Sequence, residues 1–187
     1  MANRNTQGFG LVPAGTLGST PATSGTGKYK IDAGYATTIF QGGAVSSSAG
    51  YIVEGQGTAD NPMIGVLNGI FFNAATTLKP TFSNHYVQVT PANSEDIDAF
   101  VFDNPQQQYV VATDATVAQS GFLETYDMNA SAGSTTTGRS SSTLYIGDTS
   151  AAAAAFRLLR SAEDPENDEN ASFRSVVVCL NLIELQS

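Results

Sequence analysis

The chain has 187 residues, of which 41% are hydrophobic and only 13% are charged, with a formal net charge of −9. This length provides for one sizeable core, and the acidity argues against nucleic-acid binding because acidic surfaces repel phosphate backbones. The single cysteine excludes an internal disulfide and a cysteine-rich zinc site. No stretch approaches the roughly 18 apolar residues of a membrane span. We therefore expect a protein made in a reducing cytoplasm, with no nucleic-acid or membrane partner.

The N-terminal segment differs from the rest of the chain. Its first 31 residues contain no acidic side chain and carry a formal charge of +3, from Arg4, Lys28 and Lys30. Residues 8–27 are dominated by Gly, Thr, Ser, Ala and Pro, which cannot bury a core of their own. The pattern predicts an extended N-terminal arm over residues 1–27 and a β-rich body over 28–187. The sizeable apolar side chains of the arm are expected to bind a partner surface, and they are Phe9, Leu11, Val12 and Leu17.

Short apolar or alternating runs separated by turn residues predict β-strands through the body. They lie at 28–32, 37–45, 50–54, 63–72, 86–90, 98–102, 109–113, 144–146 and 173–185. Gly65 and Gly69 interrupt the run 63–72, which favours a strand with a bulge. Turns are predicted at 46–48 and 103–106. The whole pattern predicts an all-β fold, either a compact β-sandwich or a β-barrel.

The last strand, which contains Cys179, is the most apolar, so we expect it to lie in the centre of a sheet or to pair across a subunit interface. Its cysteine is interpreted as a buried small hydrophobe.

Three segments have two interpretations each. Residues 130–142 are rich in Ser, Thr and Gly, which predicts a loop that is either free or a second binding arm. Residues 151–160 fit a helix by alanine content and a strand by the alternation of Phe156, Leu158 and Arg160. The acidic turn 163–170 is interpreted as a solvated loop, with a calcium site as the alternative.

The sequence predicts no catalytic residue, no metal site and no cofactor. His85 is the one imidazole and hence the one candidate base for a Ser–His–Asp site, but a histidine in a turn is the favoured interpretation. We therefore expect a protein that is not an enzyme. A polysaccharide hydrolase using acidic residues such as Asp98 or Asp103 is the enzyme alternative.

Six packing and turn segments carry a family resemblance: 8–13 (GFGLVP), 28–31 (KYKI), 40–42 (FQG), 65–69 (GVLNG), 80–84 (PTFSN) and 98–103 (DAFVFD). In these segments the chain resembles small virion structural proteins of tailed bacteriophages, especially marine and aquatic ones. The resemblance implies a capsid decoration, or cement, protein with extended termini that lie across neighbouring major capsid subunits.

The same resemblance implies the major capsid protein as partner and a homo-oligomer, with a trimer favoured over a dimer. It places the protein on the outer capsid surface of the virion after synthesis in the host cytoplasm, and it implies no catalytic residue. The alternative is another virion component: a head fibre base, a neck or tail piece, or a carbohydrate-binding surface domain.

Overall fold

The computed structural model describes residues 5–18, 25–147, 154–181 and 184. Within these ranges the strands are β1 (Val12–Thr16), β2 (Gly27–Ile31), β3 (Ala44–Ser48), β4 (Tyr51–Glu54), β5 (Gly65–Asn73), β6 (Pro80–Ser83), β7 (Ile97–Phe102), β8 (Gln107–Ala112), β9 (Thr125–Tyr126), β10 (Met128–Asn129), β11 (Thr143–Leu144), β12 (Phe156–Ser161) and β13 (Ser175–Leu180). Short 3-10 turns lie at Ala92–Ser94 and Gln119–Gly121. In the described part of the chain no helix is long and apolar enough to cross a membrane.

The strands form an all-β sandwich, which confirms the predicted fold class. One antiparallel sheet has five strands in the order β1-β8-β13-β12-β9, and the other has the order β2-β7-β5-β3-β4 with β6 added beside β5. β10 and β11 form a separate pair. β7 and β8 are consecutive but lie in different sheets, so the predicted turn at 103–106 carries the chain across the sandwich. Asn104 stabilises this turn by accepting the Gln106 N–H at 2.9 Å.

The first core lies between the two sheets. Its largest contributions come from β8, β12 and β13, packed against residues of β3 and β5: Tyr109, Val111, Phe156, Leu158, Val176, Val178, Ala44 and Val66. β13 is buried along its whole length in the centre of its sheet, as the sequence predicts. Cys179 is buried there, and this burial raises the pKa of its thiol.

The second core lies on the opposite face of the β2-β7-β5-β3-β4 sheet. Alternate residues of β7, namely Ile97, Ala99 and Val101, point into it. The outer strands β2 and β4 of this sheet lie close to each other, so the sheet curls around the second core. Tyr86 closes the core and donates its O–H to the Tyr35 carbonyl.

The N-terminal segment is extended, as predicted, but its residues 8–17 lie on the body instead of apart from it. β1 pairs antiparallel with β8, with Val12 opposite Val110. Leu11 is only 2% exposed and belongs to the first core, and its N–H donates to the Gly42 carbonyl at 2.8 Å. Leu11 is therefore not available as an exposed anchor. The segment has no core of its own, but a sheet edge formed by distant residues supplies its hydrogen bonds and its burial.

Several other strand predictions are confirmed or corrected. β5 has the predicted bulge, because its register with β7 shifts between Leu67 and Gly69. Residues 151–160 contain the strand β12, and 151–153 lie outside the described residues. Residues 86–90 form no strand and contribute one bridge, between Tyr86 and Ile39. The turn predicted at 46–48 lies just beyond, at Ala49 and Gly50, whose φ values of 52° and 85° suit a tight hairpin.

Candidate binding face

The face of β7 that points away from the second core carries Asp98, Phe100 and Phe102. Strict alternation produces this arrangement, because neighbouring residues of a strand point to opposite faces. At the Phe102 end the five-stranded sheet covers this face, and Phe102 packs against the first core. Towards Phe100 and Asp98 the face is only partly covered.

An aromatic pair lies on this partly covered end of the face. The rings of Phe82, on β6, and Phe100 stack with centroids 5.5 Å apart and an interplanar angle of 28°. Phe82 is 65% exposed, which is unusual for a side chain of this size and hydrophobicity. Gly69 makes room for its ring, since a Cβ there would lie 3.2 Å from Cε1 of Phe82. Phe71 lies directly opposite Phe82 across the strands.

Charged groups lie beside the aromatic pair. Lys28 lies opposite Phe100 on β2, and Lys30 lies opposite Asp98. Both ammonium groups bind the Asp98 carboxylate, at 2.8 and 2.6 Å. Burial raises the pKa of Asp98, but hydrogen bonds and charge attraction from the two lysines outweigh it and hold the pKa below its usual value. We call Phe71, Phe82, Phe100, Lys28, Lys30 and Asp98 together the aromatic face.

A cavity of about 230 Å³ opens beside β1, at the Phe102 end of this face of β7. We call the surface that runs from this cavity to the aromatic face the strip. One wall is the N-terminal segment, where Phe9, Leu11, Val12 and Pro13 line it. Three of the four predicted anchors therefore do come together, as the wall of a cavity instead of along a free arm. The fourth, Leu17, is 43% exposed and does not line it.

The opposite wall of this cavity combines apolar and polar groups. Leu67 and Phe102 supply apolar surface, and Gln41, Asn68 and Arg139 supply polar groups. Arg139 is exposed, and its guanidinium has no hydrogen bond or ion pair within the described ranges. No carboxylate lines the cavity among the residues that the structure describes.

The Ser- and Thr-rich stretch 130–142 lies against the body. It connects β10 to β11 and folds back on itself, with the Ser134 N–H donating to the Arg139 carbonyl at 3.0 Å. Gly138 is buried. Its lack of a side chain permits this packing, since an added Cβ would lie 2.5 Å from Nδ1 of His85. This stretch is the loop that the sequence predicts, and it presents Arg139.

His85 has a packing role in this region. Its ring stacks on Phe40 with centroids 6.0 Å apart, and its Nδ1 lies 2.9 Å from the Asn84 side-chain oxygen. Asn84 in turn donates to the Thr137 carbonyl at 2.8 Å. The histidine thus supports the loop 130–142, and neither of these partners is the serine or the carboxylate of a catalytic triad.

Acidic side chains of the turn 163–170 form hydrogen bonds within the turn and an ion pair with the body. Asp164 and Asp168 accept backbone N–H groups of residues two positions later, and Glu169 pairs with the buried Arg174 at 3.2 Å. Arg174 also lies over the Phe122 ring, 5.2 Å from its centroid. Among the described residues, no three His, Cys, Asp or Glu side chains form a group that could hold a metal ion.

Asp98 and Asp103, the two acids of the hydrolase alternative, both bind other side chains. Asp98 sits between two lysines, and Asp103 accepts the Tyr29 O–H at 2.7 Å. Burial and this bond raise the pKa of Tyr29 to about 12. A general acid needs a raised carboxyl pKa, which Asp98 does not have.

Sequence reasoning missed Phe82, Phe100 and Arg139. Phe100 stands in a recognised strand, but alternation does not tell which face meets solvent. Phe82 lies in a strand of only four residues, too short for a clear pattern. Comparisons with protein-family models, with curated protein sequences and with solved structures found no match to this chain.

Proposed function

We propose that this chain is a structural virion protein that decorates and stabilises the outer surface of an icosahedral phage capsid by binding neighbouring major capsid subunits. The observation behind the proposal is the stacked pair of Phe82, which is exposed, and Phe100, which is half-buried, on the surface of a β-sheet. The six-segment resemblance described above supplies the identity of the partner.

The aromatic face has the properties of a binding surface. Burying a phenylalanine side chain against a partner stabilises a complex by about 1.5–3 kcal/mol, and Phe, like Tyr and Trp, is enriched at protein interfaces relative to the rest of the surface. Phe82 and Phe100 stand on hydrogen-bonded strands, so little conformational freedom is lost when they bind. Lys28, Lys30 and Asp98 form a charged rim that orients a partner.

Oligomers strengthen such binding. A homo-oligomer, with a trimer favoured, would present several aromatic faces to a repeating lattice of capsid subunits. Linked sites of this kind raise the overall affinity by about 10²–10⁴, so each face need bind only weakly.

A second function is favoured by the same pair of rings. Stacked exposed aromatic side chains also suit a carbohydrate ring, which would make the protein a surface domain of a fibre, neck or tail piece. The two functions differ in copy number, because fibres and tails are present in few copies whereas a decoration protein covers the lattice.

The test is to titrate capsids that lack this protein with the purified chain, to sediment them, and to count the bound copies at saturation. The proposal predicts a high copy number fixed by the capsid symmetry. Saturation at a few copies per particle, or no binding, would contradict it and would favour the fibre or tail alternative.

A further inference from the structure

We propose that the cavity beside β1 holds an apolar side chain of an extended peptide segment of the capsid partner, whose neighbouring carboxylate pairs with Arg139. This inference rests on the proposed function, because it states what the partner presents to this end of the strip.

The size and lining of the cavity suit one apolar side chain. A cavity of roughly 150 Å³ holds a benzene ring, and this one measures about 230 Å³. Phe9, Val12, Pro13 and Phe102 offer apolar surface around it. Phe9 and Val12 are only partly buried, so an incoming group would remove further apolar area from water.

The charge of the cavity favours an anion. Among the described residues that line it, Arg139 alone is charged, in a chain whose net charge is −9. The planar guanidinium matches a carboxylate through two parallel hydrogen bonds. Asn68, on the same wall as Arg139, adds an amide group that can bind the same segment.

The backbone holds Arg139 in place before any ligand arrives. The Gln41 N–H donates to the Gly138 carbonyl at 2.9 Å, and the Ser140 N–H donates to the Gln41 carbonyl at 2.9 Å. These bonds fix the chain on both sides of Arg139. The guanidinium is therefore presented from a fixed backbone, which lowers the entropy cost of pairing.

The position of the cavity favours a peptide as its occupant. Phe102 lines the cavity, and Phe100, two positions earlier on the same face of β7, belongs to the aromatic face. Two residues of a strand span about 6.6 Å. A single extended segment can therefore cover the aromatic pair and place its next apolar side chain in the cavity.

The cavity itself is tested with phenylacetate as a probe and phenylacetamide as its neutral counterpart, followed by backbone amide NMR shifts. Phenylacetate should give saturable shifts around Phe9, Asn68 and Arg139, with a Kd of about 1 mM. The affinity should be about tenfold weaker for phenylacetamide and for Arg139→Gln, and Arg139→Lys should recover part of the loss. Absent shifts, or equal affinity for both probes, would overturn the inference.

The peptide assignment is tested with capsids. Arg139→Gln should weaken particle binding about tenfold, whereas Arg160→Gln, an exposed arginine on the other sheet, should bind like the unmodified chain. Equal binding by Arg139→Gln would overturn the inference and leave the proposed function standing. Failure of the unmodified chain to bind would overturn the proposed function and with it the partner, while the probe titration would still decide the cavity.

Discussion

At the residue scale, Asp98 organises the rim of the aromatic face. Its carboxylate is largely buried and receives both Lys28 and Lys30. The two lysine side chains are more than half exposed, so each pair is screened by water and contributes little on its own. The carboxylate holds both cations beside Phe100, and this positions the charges that the proposed capsid partner would meet.

Replacing Asp98 with Asn should lower the free energy of unfolding at pH 7 by about 1 kcal/mol. The pKa of Asp98 lies below its usual value in the folded chain, so its stabilisation is present above the unfolded pKa of about 3.9 and is lost as the pH falls through the folded pKa. Urea unfolding across this pH range should show the difference between Asp98→Asn and the unmodified chain shrinking toward low pH.

Glu163→Gln is the matched control for charge. Glu163 is exposed and has no hydrogen bond or ion pair to the parts of the chain that are described. The Glu163→Gln substitution should leave the free energy of unfolding at pH 7 within about 0.5 kcal/mol of the unmodified value. A stability difference for Asp98→Asn that stays constant down to pH 2 would contradict the role given to the two lysine pairs.

At the element scale, β1 shows how a polar, glycine-rich segment becomes part of a sheet. Gly8 and Gly10 approach the loop 140–142 and Gly42 closely, and the Gly10 N–H donates to the Ser142 carbonyl at 3.1 Å. The absence of a Cβ permits this approach. Pro13 is tolerated because β1 lies at the edge of its sheet.

Replacing Gly8 with Ala should therefore destabilise the whole body. The added Cβ would lie 2.1 Å from the Ser141 carbonyl oxygen, so the backbone must shift at a cost of about 1–3 kcal/mol. Thermal unfolding should show a Tm lower by several degrees, at about 2–4 °C for each kcal/mol.

Gly25→Ala is the control from the same glycine-rich region, because among the described residues beyond its chain neighbours none has an atom within 4 Å of the added Cβ. Its Tm should match that of the unmodified chain. Identical Tm values for Gly8→Ala and Gly25→Ala would show that residues 8–17 do not pack on the body.

The elements differ in how far the sequence predicts them. β5, β7, β8 and β13 are recognisable because their apolar residues follow a strand pattern within a few positions. β1 is not, because its partner β8 lies about 100 residues away and its composition resembles a linker. The burial of Leu11 in the first core is not visible in the sequence for the same reason.

The aromatic face is harder to predict from the sequence, because it is formed by side chains from strands that are distant along the chain. The alternation of β7 is visible in the sequence, but which of its faces the second sheet covers is fixed by tertiary packing. Phe102 is covered, and Phe100 is left to meet Phe82 from another strand. Only the assembled sandwich shows that these two rings form one pair at the surface.

At the scale of the whole molecule, the sandwich serves as a rigid support for one surface strip. The strip runs from the cavity beside β1 to the aromatic face and on to a second cavity of about 300 Å³ next to Lys30, Phe71 and Asp98. The strip combines aromatic side chains with charged groups at its edge, the arrangement of apolar core and polar rim that protein interfaces show. We propose that capsid subunits cover it in the virion.

The assignment of the aromatic face to the capsid is tested by the affinity of Phe82→Ser for capsids that lack the protein, compared with that of Leu123→Ser. Both side chains are similarly exposed, at 65% and 63%, but Leu123 lies beside β12 of the other sheet. We expect Phe82→Ser to keep its fold and to lose at least about 30-fold in affinity, whereas Leu123→Ser should bind normally. Normal binding by a folded Phe82→Ser chain would contradict the assignment of this face to the capsid.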